Sequence, residues 1–427
     1  MKYYDPMFYI CSEQMPFAIR VEFNLFEDVD GTALRHAVDR AMRRYPYFAV
    51  QLEEREGELV LVPNDAEIVV WEGTEPAALG SRAFNYHLFA VSWHGREISF
   101  HTSHVFTDGA GCYPLFRSIL YYYFCERTGK ALDSSGFRLW DEPFYPDELG
   151  NPYPEEAMAA AVPLYVPKKG NYFRLKDGGF VNDAQRTVYR VCLSERELLK
   201  FGKDNDGSPC SVVSSLMTMA IWDVHPELRE DIVSAVSFNL RPGLGNDHSY
   251  RMLCSALKIR YPERIRSADI TKLCTCTRGA VTLQSQPENV LTYAQNVRQQ
   301  LEALLRVPGV DEKTALLAPR SLEDATDNTF SVSYVGPAQL GEIEPFIDSI
   351  YNYTDGSTYE TLFLEISNLN DEFDIAFLQG FSSDVYFRAF LRRLELHELS
   401  YTTDGCVPPR TPGIELPGGR RFFAATN

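Results

Sequence analysis

The segment Ile98-Ser-Phe-His-Thr-Ser-His-Val-Phe-Thr-Asp-Gly-Ala-Gly111 contains the residues that decide the fold of this chain. Its first part places Ile98, Phe100 and Thr102 on one face and polar side chains on the other, which predicts a half-buried strand. Asp-Gly then predicts a tight turn, and the residues from Tyr113 to Tyr121 predict a helix. The turn carries the pattern H-x-x-x-D-G.

The histidine of this pattern, His104, is the main candidate for chemistry. A histidine at a strand end, followed by a glycine turn, can be held rigidly and still face a cavity. Imidazole accepts a proton near neutral pH, so this position suits a general base. The alternative interpretation is a core or surface histidine that happens to precede an Asp-Gly turn.

The motif and its surroundings resemble the CoA-dependent acyltransferase superfamily. That superfamily includes chloramphenicol acetyltransferases, BAHD acyltransferases, alcohol O-acetyltransferases and the condensation domains of nonribosomal peptide synthetases. The likeness runs from about residue 15 to about residue 396. Besides H-x-x-x-D-G, the matching segments are Phe17-Ala-Ile-Arg-Val-Glu-Phe-Asn-Leu, Thr32-Ala-Leu-Arg-His-Ala-Val-Asp-Arg-Ala-Met, Asn239-Leu-Arg-Pro, Ser331-Val-Ser-Tyr-Val-Gly-Pro and Phe373-Asp-Ile-Ala-Phe-Leu-Gln.

Two departures from the family pattern narrow the set of branches that this sequence resembles. Ser103 stands where many members have the first histidine of a doubled motif, as in branches with a single histidine. The D-F-G-W-G of BAHD enzymes is missing, and Asp371-Glu-Phe-Asp-Ile stands roughly where it would be sought. The alcohol-acetyltransferase-like and condensation-like branches both remain open.

The resemblance implies an α/β fold of two chloramphenicol-acetyltransferase-like halves, with mixed sheets, flanking helices and a tunnel between them. The expected ranges are 1–165 for the N-terminal half carrying the motif, 166–186 for a crossover linker and 187–427 for the C-terminal half. Proline, glycine and charge are concentrated in residues 131–185, which favours a crossover in that region.

The resemblance also assigns roles around His104. Asp108 would pair with Arg241 and so brace the catalytic loop, with Gly109 supplying the turn. A buried carboxylate needs such a partner, because an unpaired buried charge is costly. The alternative is that Asp108 only forms a local turn and Arg241 is a solvated cation. Ser237, Ser333 and Tyr334 are candidates for lining the tunnel.

No metal site is predicted. His101 and His104 lie three positions apart, so on a strand they face opposite sides and cannot converge on one ion. Cys274 and Cys276 lack a second pair of ligands at a suitable spacing. G-x-S-x-G is absent, which favours direct transfer over a covalent acyl-enzyme. We therefore expect no cofactor, with acyl-CoA as a cosubstrate.

The composition of the chain limits the kinds of partner and compartment that can be expected. The 427 residues carry 41 basic and 59 acidic side chains, a formal charge of -18 that argues against nucleic acid. No apolar run approaches the ~20 residues of a membrane span, and the start has no secretory signal. The nine scattered cysteines suggest reduced thiols. We expect a cytoplasmic monomer.

The sequence thus predicts an acyltransferase that moves an acyl group from a thioester, acyl-CoA, to an alcohol or amine acceptor. One alternative is a stand-alone condensation-like amide synthase that takes its donor from a carrier protein in trans. Another is a noncatalytic acyltransferase-like module that binds a partner. The acidic surface would repel an acidic carrier over a broad area, which favours CoA.

Overall fold

The computed structural model describes residues 7–11, 17–153, 170–175, 187–317, 327–355, 362–381 and 383–406. The strands are β1 (Ala18–Leu25), β2 (Val50–Arg55), β3 (Glu58–Pro63), β4 (Val70–Glu72), β5 (Phe89–His94), β6 (Glu97–Ser103), β7 (Thr187–Ser194), β8 (Ile232–Asn239), β9 (Cys254–Tyr261), β10 (Phe330–Tyr334), β11 (Ile347–Asp355), β12 (Leu362–Leu369), β13 (Glu372–Gln379) and β14 (Tyr401–Cys406). The helices are α1 (Met7–Ile10), α2 (Gly31–Met42), α3 (Gly109–Thr128), α4 (Glu195–Asp204), α5 (Pro209–Val224), α6 (Arg241–Leu244), α7 (Ile270–Gln284), α8 (Pro287–Leu305), α9 (Val310–Leu317) and α10 (Val385–Leu396).

Strand β1 and helix α2 form where the sequence pattern predicts them. Ile19, Val21 and Phe23 on β1 are buried on one face of the strand. Helix α2 begins after Asp30, whose carboxylate accepts hydrogen bonds from the first-turn backbone N–H groups of Thr32 and Ala33. The buried stripe of α2 consists of Ala33, Leu34, Ala37, Val38 and Ala41. Both elements therefore pack their apolar faces into the N-terminal core.

The N-terminal sheet has the strand order β11-β1-β6-β5-β4. Strand β11 comes from far along the chain, yet it pairs antiparallel with β1 from Ala18 opposite Asp355 to Leu25 opposite Ile347. This strand was not predicted from the sequence. It covers the edge of β1 that would otherwise expose unpaired backbone groups.

The C-terminal sheet has the strand order β14-β7-β13-β12-β10-β8-β9. Strand β10 runs parallel to both β8 and β12, while the other pairings in this sheet are antiparallel. Helices α5, α7 and α10 pack with this sheet around a second core that includes Phe330, Val332 and Phe377. The fold is therefore mixed α/β with two sheets and flanking helices, as the sequence predicts.

The other face of the C-terminal sheet meets β11. Ser367 on β12 donates a hydrogen bond to the backbone carbonyl of Ile350, and Thr354 donates to the carboxylate of Glu365. Arg190 on β7 donates to Glu22 on β1 at 3.1 Å. These contacts fasten β1 and β11 to the C-terminal half, so the region around the end of β6 lies beside that half.

The predicted ranges 1–165, 166–186 and 187–427 stay a prediction. Most of the proposed linker lies outside the described residues, and within it Tyr172 forms an isolated bridge with Asp231. Strand β11 belongs by number to the last range but by pairing to the N-terminal sheet. No described helix is both long and apolar enough to cross a membrane.

Candidate active site

The hairpin of β5 and β6 delivers the H-x-x-x-D-G segment to the start of α3. Strand β6 ends at Ser103, and α3 begins at Gly109 with Asp108 as its N-cap residue. The backbone N–H of His104 donates to the carbonyl of Phe17 at 2.5 Å, which continues the contact between β6 and β1. His104 therefore leaves the sheet at a defined position just before the helix.

His104 is partly exposed, and one of its ring nitrogens is engaged. Its Nδ1 lies 2.8 Å from the backbone carbonyl oxygen of Thr107. A carbonyl oxygen can only accept, so the neutral imidazole carries its proton on Nδ1 and an unprotonated lone pair on Nε2. This is the tautomer that a general base requires, with Nε2 as the basic atom.

Asp108 forms a buried ion pair with Arg241. Its Oδ1 accepts from Arg241 Nη2 at 2.7 Å, and its Oδ2 accepts from Arg241 Nη1 at 3.0 Å. The same carboxylate accepts from the backbone N–H of Gly111 at 2.8 Å and from that of Leu253 at 2.7 Å. Both side chains of the pair are 3% exposed. The structure thus brings together Asp108 and Arg241, which lie 133 positions apart in the sequence.

The remaining guanidinium donors of Arg241 reach the chain that follows α6. Nε donates to the carbonyl of Ser249 at 2.8 Å, and Nη2 donates to the carbonyl of Arg251 at 2.6 Å. Nη1 also donates to Asn239 Oδ1 at 3.2 Å. A buried ion pair is tolerated when its other hydrogen-bonding groups are satisfied, and this one meets that condition.

The segment 249–253, which we call the brace segment, also contacts the loop 104–108 directly. We call this loop the catalytic loop because it carries the candidate base His104. Thr107 Oγ1 donates to the carbonyl of Tyr250 at 2.7 Å. A Cβ at Gly111 would lie 2.2 Å from the same carbonyl oxygen, so only glycine fits there. Thr107 and Tyr250 were not found from the sequence, because a backbone carbonyl acceptor leaves no signature in side-chain type.

Gly109 approaches the end of β10. A Cβ at Gly109 would lie 2.9 Å from Val335 Cγ2, which is closer than ordinary van der Waals contact. Val335 follows the predicted lining residues Ser333 and Tyr334. The structure therefore places the end of β10 against the catalytic loop.

The three predicted lining residues do not share one face. Val332 and Val236 point into the C-terminal core and are paired in register on β10 and β8. Because side chains alternate along a strand, Ser333 and Ser237 point to the opposite face.

Tyr334 packs its ring against the C-terminal core, 5.7 Å from the ring of Phe373, and its role in lining a tunnel stays a prediction. It lies one position after Ser333, so the alternation of β10 turns it away from the face of the two serines.

Further polar residues lie on the side of β11 that faces α3. Tyr113, in the second turn of α3, donates its hydroxyl to Asn352 Oδ1 at 2.7 Å. Ser333 pairs in register with Glu365, the acceptor of the Thr354 hydroxyl. These residues were not predicted from the sequence, because their proximity depends on the insertion of β11 beside β1.

His101 has a separate environment from His104. Its Nε2 lies 2.9 Å from Ser92 Oγ, and its ring lies on Trp71 with centroids 5.2 Å apart. Burial, with a smaller contribution from Arg20, lowers the pKa of His101 to about 3. Among the described residues, no group of three or more His, Cys, Asp or Glu side chains is arranged to hold a metal. Metal independence stays a prediction.

No protein-family model matches the chain, and no curated protein matches its sequence. Solved structures do match. Polyketide synthase associated protein 5 from Mycobacterium tuberculosis is 16% identical, with a TM-score of 0.59 over 92% of this chain and 96% of that protein. TRI101 of F. graminearum, complexed with coenzyme A and deoxynivalenol, is 11% identical, with a TM-score of 0.59 over 94% of this chain and 99% of that one.

The first condensation domain of the CDA synthetase is also similar, at 11% identity and a TM-score of 0.56 over 92% of this chain and 94% of that domain. At such identities the likeness concerns the fold alone. The shared arrangement spans nearly the full length of both chains in each comparison. This chain therefore has the fold of the condensation domains and of the coenzyme A-binding TRI101 proteins.

Proposed function

We propose that this protein is an acyltransferase that moves an acyl group from a thioester, acyl-CoA, to an alcohol or amine acceptor. The observation that carries the proposal is the state of His104. The carbonyl of Thr107 holds the Nδ1 proton, so Nε2 is left as a base on a partly exposed side chain. The fold, shared with a coenzyme A complex and with condensation domains, supports this class of reaction.

In the proposed reaction, His104 Nε2 takes the proton of the acceptor hydroxyl or amine as its oxygen or nitrogen attacks the thioester carbonyl. The carbonyl oxygen becomes the oxyanion of a tetrahedral intermediate. When the intermediate collapses, the carbon–sulfur bond breaks and the imidazolium returns its proton to the leaving thiolate. Transfer is direct, without a covalent acyl-enzyme.

The oxyanion needs a hydrogen-bond donor, which typically contributes about 10²–10³-fold in rate. We propose the hydroxyl of Ser333, which lies two positions before Val335, the residue that contacts Gly109. A backbone N–H is the alternative donor.

The Asp108–Arg241 pair acts on the base indirectly. The pair fixes the N-terminus of α3 and thereby the loop that holds the imidazole. Because a small misplacement of a catalytic group costs orders of magnitude in rate, we propose that this pair is a positioning device rather than a participant in proton transfer.

Release of free thiol tests the proposal. The purified protein is incubated with acyl-CoA of increasing chain length and a panel of alcohols and amines, and the thiol is measured over time. Acceptor-dependent release supports acyl transfer. If neither CoA-bound nor carrier-bound acyl groups are transferred to any acceptor, the noncatalytic binding module replaces the proposal.

A further inference from the structure

Arg117 lies on the face of α3 that begins at the catalytic loop. Gly109, Tyr113 and Arg117 are spaced four residues apart, so they follow one another along one side of the helix. Each meets a residue between positions 335 and 352: Gly109 lies against Val335, Tyr113 donates to Asn352, and Arg117 Nη1 donates to Gln339 Oε1 at 3.1 Å. Arg117 lies about 12 Å along the helix from Gly109.

The rim of this face is open to solvent. Val335 is 43% exposed beside Gly109, and Gln339 is exposed beside Arg117. Arg117 itself is partly exposed, while its Nε is buried and has no hydrogen-bond partner. The guanidinium therefore lies at the boundary between solvent and the interior, on the helix that begins at the proposed active site.

Three other buried or largely buried arginines of the molecule have a carboxylate partner. Arg44 pairs with Glu148 at 2.7 Å, Arg190 with Glu22 at 3.1 Å, and Arg241 with Asp108 at 2.7 Å. Among the described residues, no carboxylate forms an ion pair with Arg117, whose hydrogen-bond partner is the amide oxygen of Gln339. A guanidinium removed from water without an anion is a costly arrangement.

A second arginine lies close to it. The carbonyl of Arg138 accepts a hydrogen bond at 2.9 Å from Ser118, the residue that follows Arg117. Arg138 Nη1 lies 3.7 Å from Glu148 Oε1, an oxygen that already receives Arg44 at 2.7 Å. Burial lowers the pKa of Arg117, and the positive charge of Arg138 lowers it further. Arg117 thus lies near a second cation, in a chain whose formal net charge is -18.

We propose that Arg117 binds an oxyanion, a carboxylate or a phosphate, carried by one of the two substrates of the acyl transfer. The inference deepens the proposed function and rests on it. A planar guanidinium matches both groups by two parallel hydrogen bonds. An anion at this position would supply the charge that the protein itself does not place beside Arg117.

The first test measures stability and binding, and needs no activity. Arg117→Gln removes the charge and keeps a polar side chain, while Arg40→Gln changes an exposed arginine on α2 and serves as the matched control. We expect the Arg117→Gln protein alone to melt at or above the wild-type temperature, because a desolvated cation is removed. A clear loss of stability would assign Arg117 a structural role and overturn the proposal.

Inorganic pyrophosphate is the probe for binding. It should raise the melting temperature of the wild type and of Arg40→Gln, and should have little effect on Arg117→Gln. Arg117→Lys, which keeps the charge without the planar fork, should recover part of the effect. No rise in the wild type, or an equal rise in Arg117→Gln, would overturn the proposal.

The second test identifies the substrate through matched pairs. One arm compares the same acyl group on CoA and on pantetheine, which lacks the phosphates. The other compares a hydroxy acid with its methyl ester as acceptor. In one arm, Arg117→Gln should lower kcat/KM about 10- to 100-fold for the anionic member, the range for a charged hydrogen bond, and leave the uncharged member almost unchanged.

The arm in which kcat/KM falls only for the anionic member identifies the source of the oxyanion, either the donor phosphates or an acceptor carboxylate. Equal losses of kcat/KM for both members of each pair, or no loss, would overturn the proposal that Arg117 binds an oxyanion. If the wild type transfers no acyl group in either arm, the proposed function has failed instead, and the pyrophosphate titration still decides whether Arg117 binds an anion.

Discussion

A single hydrogen bond decides which nitrogen of His104 can act as a base. The carbonyl of Thr107 accepts a hydrogen bond from His104 Nδ1–H, and the hydroxyl of Thr107 donates to the carbonyl of Tyr250. The orientation of the imidazole therefore depends on backbone atoms in both halves of the molecule. Replacement of side chains around His104 can change this orientation without touching the histidine itself.

Replacement of His104 by alanine should abolish most of the transfer activity and leave the fold intact. Loss of a general base typically costs about 10²–10⁴-fold in rate, and the ring is partly exposed, so little packing is lost. His36→Ala, at an exposed surface histidine, is the matched control. Single-turnover rates and thermal unfolding should be measured for both, and wild-type turnover by His104→Ala would exclude the proposed mechanism.

A second residue-scale prediction concerns Asp374 on β13, a carboxylate that is 4% exposed. Burial, assisted by the nearby charge of Glu372, raises the pKa of Asp374 to about 7. The native state then holds a proton that the unfolded chain releases above about pH 4, so this group lowers stability as the pH rises from about 4 to about 7.

Asp374→Asn cannot ionise, so its free energy of unfolding should fall less than that of the wild type between about pH 5 and about pH 8. Urea denaturation at the two pH values measures the difference. Asp39→Asn, at an exposed position on α2, should follow the wild type. Identical pH dependence in Asp374→Asn and wild type would show that Asp374 ionises normally.

At the scale of elements, the start of α3 is held by contacts from a distant part of the chain. Asp108 caps the helix through Gly111 and at the same time bonds Arg241 and the backbone of Leu253. The brace segment thus connects the first turn of α3 to the region around α6. The position of the catalytic loop therefore depends on this connection as well as on the local turn sequence.

Asp108→Ala and Arg241→Ala should each lower stability by about 3–5 kcal/mol, because each leaves an unpaired buried charge. The double variant should cost less than the sum, since the second change removes the charge that the first one stranded. Chemical denaturation and kcat should be measured through the full cycle, and strictly additive losses would count against a coupled unit.

The Lys313–Glu58 pair provides a control, with side chains 1% and 17% exposed and no contact to the catalytic loop among its hydrogen bonds. Its cycle should show similar coupling in stability but no coupled loss of kcat in the folded protein. A matching loss of kcat in both cycles would mean that any destabilisation of this size impairs the enzyme.

At the scale of the whole molecule, the acidic surface bears on the choice of donor. The formal charge of -18 disfavours docking of a second acidic protein over a broad area, whereas CoA needs only a local basic mouth. In a competition with one acyl group offered on CoA and on a phosphopantetheinylated carrier, we expect turnover from CoA. Turnover from the carrier alone would favour the condensation-like amide synthase.

Activity should also persist after metal removal. His101 is buried against Ser92 and Trp71, so it does not join His104 at a common ion. Incubation with a chelator, followed by dialysis and the thiol-release assay, should leave the rate unchanged. Activity that is lost in chelator and restored by zinc would contradict the metal-free mechanism. The cytoplasmic location and the monomeric state stay predictions.

The sequence by itself predicted the elements whose pattern is local. The alternation on β1, the apolar stripe of α2 and the strand before His104 depend on neighbours within a few residues, so they are legible in the chain. The resemblance also paired Asp108 with Arg241 before any geometry was available. Residue type alone would not have selected Arg241, because many cations could in principle meet a buried carboxylate.

Only the tertiary structure decided how distant segments meet. Packing between parts of the chain far apart in sequence determines the pairing of β11 with β1 and the contact of Tyr250 with Thr107. It also determines that Arg117 meets the amide of Gln339 and not a carboxylate. Tyr334 illustrates the same point, since one step along β10 changes the face that a side chain occupies. Local patterns specify which face of an element is buried, whereas tertiary packing determines which other element covers that face.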